Sequence, residues 1–202
     1  MCGIFGISVN KRSKIDRRLF QKSVKHLFLL SESRGKEAAG FAANYGDNIK
    51  VFKAPQSASK MVKSSEYNAV IRDIIYLKTH EKNKFIDTPI SLIGHSRLVT
   101  DGSQGKDYNN QPVISDGIVG VHNGIVTNAN ELWEIYPLLE RKYEIDTEII
   151  LQLLRKFYTK GGSLYDAVNL TFDKIIGTVS IAAFFNDLDK MLLATNNGSL
   201  YI

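Results

Sequence analysis

Met1-Cys2-Gly3-Ile4-Phe5-Gly6-Ile7 opens the sequence and holds its only cysteine. The residues after Cys2 predict a β-strand at the start of the chain. If Met1 is removed, a step that the small Cys2 side chain permits, Cys2 carries both a thiol and a free α-amine. Since an α-amino group titrates at about 7.7 to 8.0, it is able to accept the thiol proton within the same residue. The alternative is that Cys2 is a small buried apolar side chain in that strand.

The composition is that of one globular domain of 202 residues, with 44% hydrophobic and 23% charged residues. No apolar run reaches the roughly 20 residues that span a bilayer, and no signal-like segment precedes the first strand. One cysteine excludes an internal disulfide framework and a thiolate zinc site. We therefore expect a cytoplasmic protein without a membrane partner.

The net charge of +5 raises the question of nucleic-acid binding. Lysines and arginines are scattered, and the densest group, at residues 11–18, lies where a helix is expected to start. No aromatic residues interleave this group to stack bases. We expect no nucleic-acid partner and interpret the group as a solvated helix face, or as a docking patch for an acidic partner.

Hydrophobic periodicity and turn residues predict groups of strands and helices. Strands in hairpins at both ends, with helices grouped between them, favour an α+β fold with two helix-covered antiparallel sheets over a doubly wound parallel sheet. Asn123-Gly124 predicts a turn that stops the second of the single strands. Helices are expected at about 14–32, 66–78, 128–140, 147–159 and 163–174, hairpins at 38–53 and 178–195, and single strands at 89–95 and 117–122.

Two polar motifs offer groups that a nucleophile needs. Gly94-His95-Ser96-Arg97 places an arginine at a predicted strand end, where its fork suits a substrate carboxylate; the alternative is a surface arginine bridging two loops. In His122-Asn123-Gly124, the Asn123 side-chain amide and the Gly124 backbone amide could converge on an oxyanion. The alternative is a tight hairpin turn. The next segment argues against a hairpin, because it looks helical and offers no partner strand.

Two further motifs have equally open interpretations. Asp146 could accept from the α-ammonium of a bound amino acid, or cap the helix that begins at Thr147. The small residues in Arg34-Gly35-Lys36-Glu37-Ala38-Ala39-Gly40 allow close approach beside the Cys2 strand, or form a helix C-cap before a buried strand. The four histidines lack metal-ligand spacing, so we expect no metal site and interpret them as core residues or as hydrogen-bonding residues behind the site.

The chain resembles the glutaminase domain of class II glutamine amidotransferases, of the N-terminal nucleophile hydrolase superfamily. The resemblance implies a four-layer αββα sandwich and hydrolysis of L-glutamine to L-glutamate and ammonia through a γ-glutamyl thioester. The motifs that carry it occur in family order: Cys2-Gly3-Ile4-Phe5-Gly6, Arg34-Gly35 with Ala39-Gly40, Gly94-His95-Ser96-Arg97, Gln111-Pro112, His122-Asn123-Gly124 and Asp146-Thr147-Glu148.

The resemblance also implies a role for each matching residue. Cys2 is the nucleophile with its own amine as base, and Asn123 and Gly124 form the oxyanion hole. Arg97 binds the substrate carboxylate and Asp146 the ammonium. The remaining assignments are Thr100 in substrate binding, Arg34, Gly35 and His122 as supporting residues, and no cofactor.

Residues 1–202 as a whole match one glutaminase domain, which ends before the usual C-terminus of such domains and has no acceptor domain. Ammonia would then pass to a missing synthase domain or a partner subunit. Features of amidophosphoribosyltransferase and of glucosamine-6-phosphate synthase occur side by side, so the acceptor stays open. Leu98 and Asp101 depart from the family pattern. They leave two alternatives: a catalytically silent regulatory or binding module, and an amidohydrolase for another γ-glutamyl substrate.

Overall fold

The computed structural model describes residues 2–10, 13–45, 47–76, 84–86, 88–98, 109–159 and 162–202. These residues form eight β-strands and six α-helices. The strands are β1 (Gly3–Val9), β2 (Ala38–Tyr45), β3 (Asn48–Ala54), β4 (Ile90–Arg97), β5 (Val113–Ser115), β6 (Ile118–Val126), β7 (Gly177–Phe185) and β8 (Leu188–Thr195). The helices are α1 (Arg17–Ser31), α2 (Ala58–Met61), α3 (Ser65–Tyr76), α4 (Ala129–Ile135), α5 (Thr147–Tyr158) and α6 (Leu164–Phe172).

The strands form two antiparallel sheets that pack face to face. Strand order is β1-β4-β2-β3 in the first sheet and β5-β6-β7-β8 in the second. One apolar cluster lies between α1–α3 and the first sheet, and another between α4–α6 and the second. A third cluster, which includes Ile93, Val121 and Phe184, fills the space between the sheets. The predicted four-layer αββα sandwich is therefore confirmed.

Helix α1 shows how the sequence builds one outer layer. Phe20, Val24 and Phe28 recur every four residues and are buried on its inner face. The Asp16 side chain accepts from the backbone amides of Arg18 and Leu19, at 2.7 and 3.3 Å, and so caps the helix. The helix consequently begins at residue 17 rather than at the predicted 14.

Both predicted hairpins are confirmed, as β2–β3 and β7–β8. The predicted turn at Asn123-Gly124 is wrong, because both residues lie inside β6 and pair with Ser180 and Val179 of β7. Pairing with β7, which is more than 50 residues away in sequence, keeps these two residues extended despite their local preference for a turn. The short elements β5 and α2 were not predicted, and α4 ends at Ile135 rather than at 140. In the described part of the chain, no helix has the length and apolar character to cross a membrane.

Candidate active site

Cys2 lies immediately before β1, at the edge of the first sheet. Its backbone nitrogen donates to Asn123 Oδ1 at 2.8 Å, and its Sγ lies 3.5 Å from the carbonyl oxygen of Leu98. Burial raises the pKa of the Cys2 thiol above its ordinary value. A buried thiol of this kind needs a base before it can act as a nucleophile.

Asn123 and Gly124 belong to the second sheet, so the Cys2–Asn123 bond joins the two sheets. Because Asn123 Oδ1 accepts from Cys2, its Nδ2 is the end of the amide that can donate to another group. Gly124 has a φ of 150°, and a Cβ there would lie 1.8 Å from the Thr178 carbonyl oxygen. Only glycine fits this backbone position beside Asn123.

Arg97 ends β4 and is 4% exposed, so it is not the surface arginine of the alternative interpretation. Its Nη1 donates to Asn110 Oδ1 at 2.7 Å. The backbone around Arg97 touches Gly35 closely, since a Cβ on Gly35 would lie 2.2 Å from the Arg97 carbonyl carbon. The Glu37 amide donates to the Arg97 carbonyl oxygen at 3.2 Å. The Arg34-Gly35 motif thus permits a close approach, as well as ending the 3₁₀ turn Glu32–Arg34.

Asp146 precedes α5, but its side chain makes no capping bond to that helix. Asp146 is the N-cap residue of α5 by position, but its carboxylate faces other elements: Oδ2 accepts from the Val126 amide at 2.9 Å, and Oδ1 lies 3.5 Å from His122 Nδ1. Burial by itself would raise the pKa of Asp146, yet the contacts from His122 and the Val126 amide hold it below its ordinary value. The side chain is therefore a carboxylate at neutral pH.

His122 lies on the helix-facing side of β6 and links Asp146 to the strand that carries Asn123. It is 2% exposed, with Nδ1 3.4 Å from Thr147 Oγ1 and Nε2 3.4 Å from the Thr178 carbonyl oxygen. Leu98, whose carbonyl oxygen contacts Cys2 Sγ, follows Arg97 in the chain, and His122, which contacts Asp146, precedes Asn123. The structure thereby brings Cys2, Arg97, Asn123, Gly124 and Asp146 into one neighbourhood.

The remaining histidines differ in their exposure to solvent. His95 is fully buried, and neither ring nitrogen has a hydrogen-bond partner among the described residues. Burial, together with the neighbouring His122 and Arg97, lowers the pKa of His95 to about 3. His26 is exposed on α1, so the interpretation as a core or hydrogen-bonding residue is wrong there, and His80 lies outside the described residues. No cluster of His, Cys, Asp or Glu in the described ranges is suited to a metal ion.

A cleft of about 750 Å³ opens beside the nucleophile. Cys2, Arg34 and Asn123 line it together with residues of β1, β7 and β8, whereas Arg97 and Asp146 do not. Thr100 and Asp101 lie outside the described residues, so the structure says nothing of them.

Two buried polar residues near the site, Asn109 and Asn110, were missed from the sequence, and Gln111 and Glu148 were recognised there only as members of family motifs, without a role of their own. Glu148 is 0% exposed and accepts from the backbone amides of Lys142 and Tyr143, at 3.0 and 2.8 Å. Asn109, Asn110 and Gln111 are also buried. The signal that could have found them is the run of three consecutive amide side chains before Pro112.

Two solved structures share this fold. A glutamine phosphoribosylpyrophosphate amidotransferase from B. subtilis matches with a TM-score of 0.62 and 20% identity, over 96% of this chain and 37% of the other. A structure titled as the allosteric regulatory enzyme of purine biosynthesis gives a TM-score of 0.66 and 21% identity over the same shares. These neighbours share the four-layer sandwich fold of this chain.

Curated relatives match all or nearly all of the chain, but the chain covers only about a third of their length. A glutamine–fructose-6-phosphate aminotransferase from Sulfolobus acidocaldarius is 28% identical over 100% of this chain and 31% of the relative. An amidophosphoribosyltransferase from Methanocaldococcus jannaschii is 30% identical over 93% of this chain and 36% of the relative. A family model described as a glutamine amidotransferase domain matches residues 95–201. Because this match takes in more than half of the sequence, the chain belongs to the glutamine amidotransferase domain family.

Proposed function

We propose that this chain hydrolyses L-glutamine to L-glutamate and ammonia, with Cys2 as the nucleophile. The contact of 2.8 Å between the Cys2 nitrogen and Asn123 Oδ1 carries the proposal. This contact supports the proposal because it joins the proposed nucleophile, next to the first sheet, to the side-chain amide that would stabilise an oxyanion. Membership of the glutamine amidotransferase domain family supports the same reaction.

The reaction requires Met1 to be removed, because a nitrogen in an amide bond is not basic. The free α-amine of Cys2 then accepts the thiol proton while Sγ bonds to the side-chain amide carbon of glutamine. Asn123 Nδ2 and the Gly124 amide would donate to the resulting oxyanion. The carbon–nitrogen bond breaks as the ammonium proton of Cys2 passes to the leaving nitrogen, which releases ammonia. Water then attacks the thioester carbon while the amine takes its proton, the carbon–sulfur bond breaks, the thiolate regains the proton from the ammonium, and glutamate leaves.

Two charged side chains would hold the α-carbon end of the substrate. Arg97 can receive the carboxylate, and Asp146, which is ionised at neutral pH, can receive the ammonium. Gly35 packs on the Arg97 backbone and His122 contacts Asp146, which supports their supporting roles. Arg34 lines the cleft, and its supporting role stays a prediction from the family resemblance. Thr100 stays a prediction from the family resemblance.

The ammonia acceptor would be a synthase domain or a separate subunit. This proposal rests on the kinds of enzyme that the relatives are, an aminotransferase and a phosphoribosyltransferase, and on this chain spanning about a third of their length. The assignment of residues 1–202 to a glutaminase domain, the cytoplasmic location and the absence of cofactor, nucleic-acid and membrane partners remain predictions.

The test combines mass spectrometry with a glutaminase assay. We expect the purified protein to lack Met1 and a covalent glutamine analogue to label Cys2. Cys2→Ala should abolish glutamate release, and Asn123→Ala should lower kcat about 100- to 1,000-fold, the usual cost of one lost oxyanion donor. Ser65→Ala, a change at the exposed start of α3 and outside the cleft, serves as the control. Retention of Met1, or glutamate release that survives Cys2→Ala, would refute the proposal.

The same assay separates the rival functions. A silent regulatory or binding module would leave Cys2 unlabelled and release nothing from glutamine with or without candidate synthase partners. An amidohydrolase for another γ-glutamyl compound would hydrolyse that compound faster than glutamine. We retain these rivals because Leu98, whose carbonyl oxygen contacts Cys2 Sγ, departs from the family pattern.

A further inference from the structure

Asn109, Asn110 and Gln111 are consecutive, carry amide side chains and are 0%, 0% and 9% exposed. Each side chain forms hydrogen bonds with a different segment of the chain. Each of those segments carries a residue that is proposed to bind glutamine or to stabilise its oxyanion. Buried polar side chains are commonly paired, so pairing alone would not be informative. What is informative is which groups these three side chains pair with.

Asn110 acts on the carboxylate-binding residue. Its Oδ1 accepts from Arg97 Nη1 at 2.7 Å, which fixes one edge of the guanidinium. An amide oxygen orients the guanidinium without neutralising it. An aspartate in the same place would compete with the substrate carboxylate for the Arg97 charge.

Asn109 acts on the segment that ends at the ammonium-binding residue. Its Nδ2 donates to Glu144 Oε2 at 2.7 Å, and its Oδ1 accepts from the Glu144 amide at 3.2 Å. Glu144 lies two residues before Asp146. The two bonds therefore fix the backbone that leads into the Asp146 carboxylate.

Gln111 acts on the strand that carries the oxyanion donors. Val113 pairs with Gly120, and continuing that antiparallel register puts Gln111 opposite His122. The side-chain amide of Gln111 bonds both main-chain groups of His122, donating to its carbonyl oxygen at 3.0 Å and accepting from its N–H. The Gln111 carbonyl oxygen packs on Gly40 of the first sheet, where a Cβ would lie 2.3 Å away.

We propose that Asn109, Asn110 and Gln111 are a positioning element that holds Arg97, Asp146 and the Asn123-Gly124 pair at the separations that glutamine requires. The inference rests on the proposed glutaminase function. Each residue acts through a different group of the site, so each is expected to matter for a different part of the substrate.

The experiment pairs three alanine variants with three substrates in an ammonia-release assay. The substrates are L-glutamine, glutaramate, which lacks the α-amine, and 4-aminobutanamide, which lacks the α-carboxylate. A hydrogen bond to a charged group contributes about 1.5 kcal/mol, which corresponds to about tenfold in kcat/KM. Asn110→Ala should therefore lose about tenfold on L-glutamine and glutaramate, and little on 4-aminobutanamide.

The other two variants should give different patterns. Asn109→Ala should lose activity on L-glutamine and 4-aminobutanamide, and little on glutaramate. Gln111→Ala should lower kcat for all three substrates with little change in KM. Asn110→Asp retains the shape of the side chain, so it tests the same point even if the alanine variant unfolds: KM should rise only for substrates with a carboxylate. Asn130→Ala is the matched control, because it removes an Asn–Arg bond of 2.8 Å at the surface.

Equal losses on all three substrates in every variant, with wild-type turnover intact, would overturn the positioning role and leave the glutaminase function standing. Absence of glutamine turnover by the wild-type protein that lacks Met1 would overturn the function, and the positioning role with it.

Discussion

His95 is a histidine in surroundings that disfavour its charged form. It is fully buried near Arg97, and its pKa is lowered to about 3. The unfolded chain binds a proton at this histidine below about 6.5, whereas the folded chain does so only below about 3. The contribution of neutral His95 is therefore fully present above about pH 6.5 and is lost as the pH falls towards 3.

We expect the free energy of unfolding to fall by about 2 kcal/mol between pH 7 and pH 5 through His95 alone. His95→Leu should remove that part of the pH dependence, as measured by urea unfolding at the two pH values. His26→Gln, a change on the exposed face of α1, is the control. A His95→Leu protein that retains the full wild-type difference would contradict the pKa assigned to the buried ring.

At the scale of elements, the segment between α4 and α5 is held from its inner side by Glu148. This carboxylate sits in the first turn of α5 and accepts from the amides of Lys142 and Tyr143, and it is 0% exposed. The segment continues to Asp146. Glu148 thus stabilises the backbone that presents the proposed ammonium ligand.

Glu148→Gln should lower the free energy of unfolding by about 2 kcal/mol, because the amide NH₂ replaces an acceptor and faces buried N–H donors. KM for glutamine should also rise, as the Asp146 segment loses its fixed position. Urea unfolding and steady-state kinetics measure the two effects. Glu131→Gln on α4, where the side chain is exposed, provides the comparison. Unchanged stability in Glu148→Gln would show that the carboxylate is not needed there.

Elements with strong local periodicity could be predicted from the sequence, and the exceptions have physical causes. Helix α5 and both hairpins follow from apolar spacing and turn residues within each segment. The continuation of strand β6 through Asn123-Gly124 could not be predicted from the sequence, because the partner strand β7 is more than 50 residues away. The capping bond predicted for the Asp146 side chain is absent for a similar reason. The carboxylate is bound by His122 and the Val126 amide, which a local capping rule does not include.

At the scale of the whole molecule, the layer between the sheets sets the geometry of the site. Cys2 and Arg97 belong to the first sheet, whereas Asn123 and Gly124 belong to the second. Phe184 is fully buried in that layer with Ile93 and Val121. Its side chain therefore helps to set the spacing between the two sheets, and we expect that spacing to affect the contact between the Cys2 nitrogen and Asn123.

Phe184→Ala should cost about 3 to 5 kcal/mol of stability, the usual range for a buried phenylalanine. The matched control is Phe20→Ala, which empties a similar volume between α1 and the first sheet. Both variants should lose comparable stability, but Phe184→Ala should lose more glutaminase activity per folded molecule. Denaturant titration and glutamate release measure these quantities, and equal activity in the two variants would argue against control by the inter-sheet layer.

The position of β1 also affects how the chain matures during synthesis. Its partner in the first sheet is β4, and Gly3 pairs with Ser96. At a synthesis rate of about 5 to 20 residues per second, the ribosome needs about 5 to 20 s to reach that partner. The amino terminus has no sheet to join during this interval. An aminopeptidase therefore has seconds in which to remove Met1 before the neighbourhood of Cys2 is built.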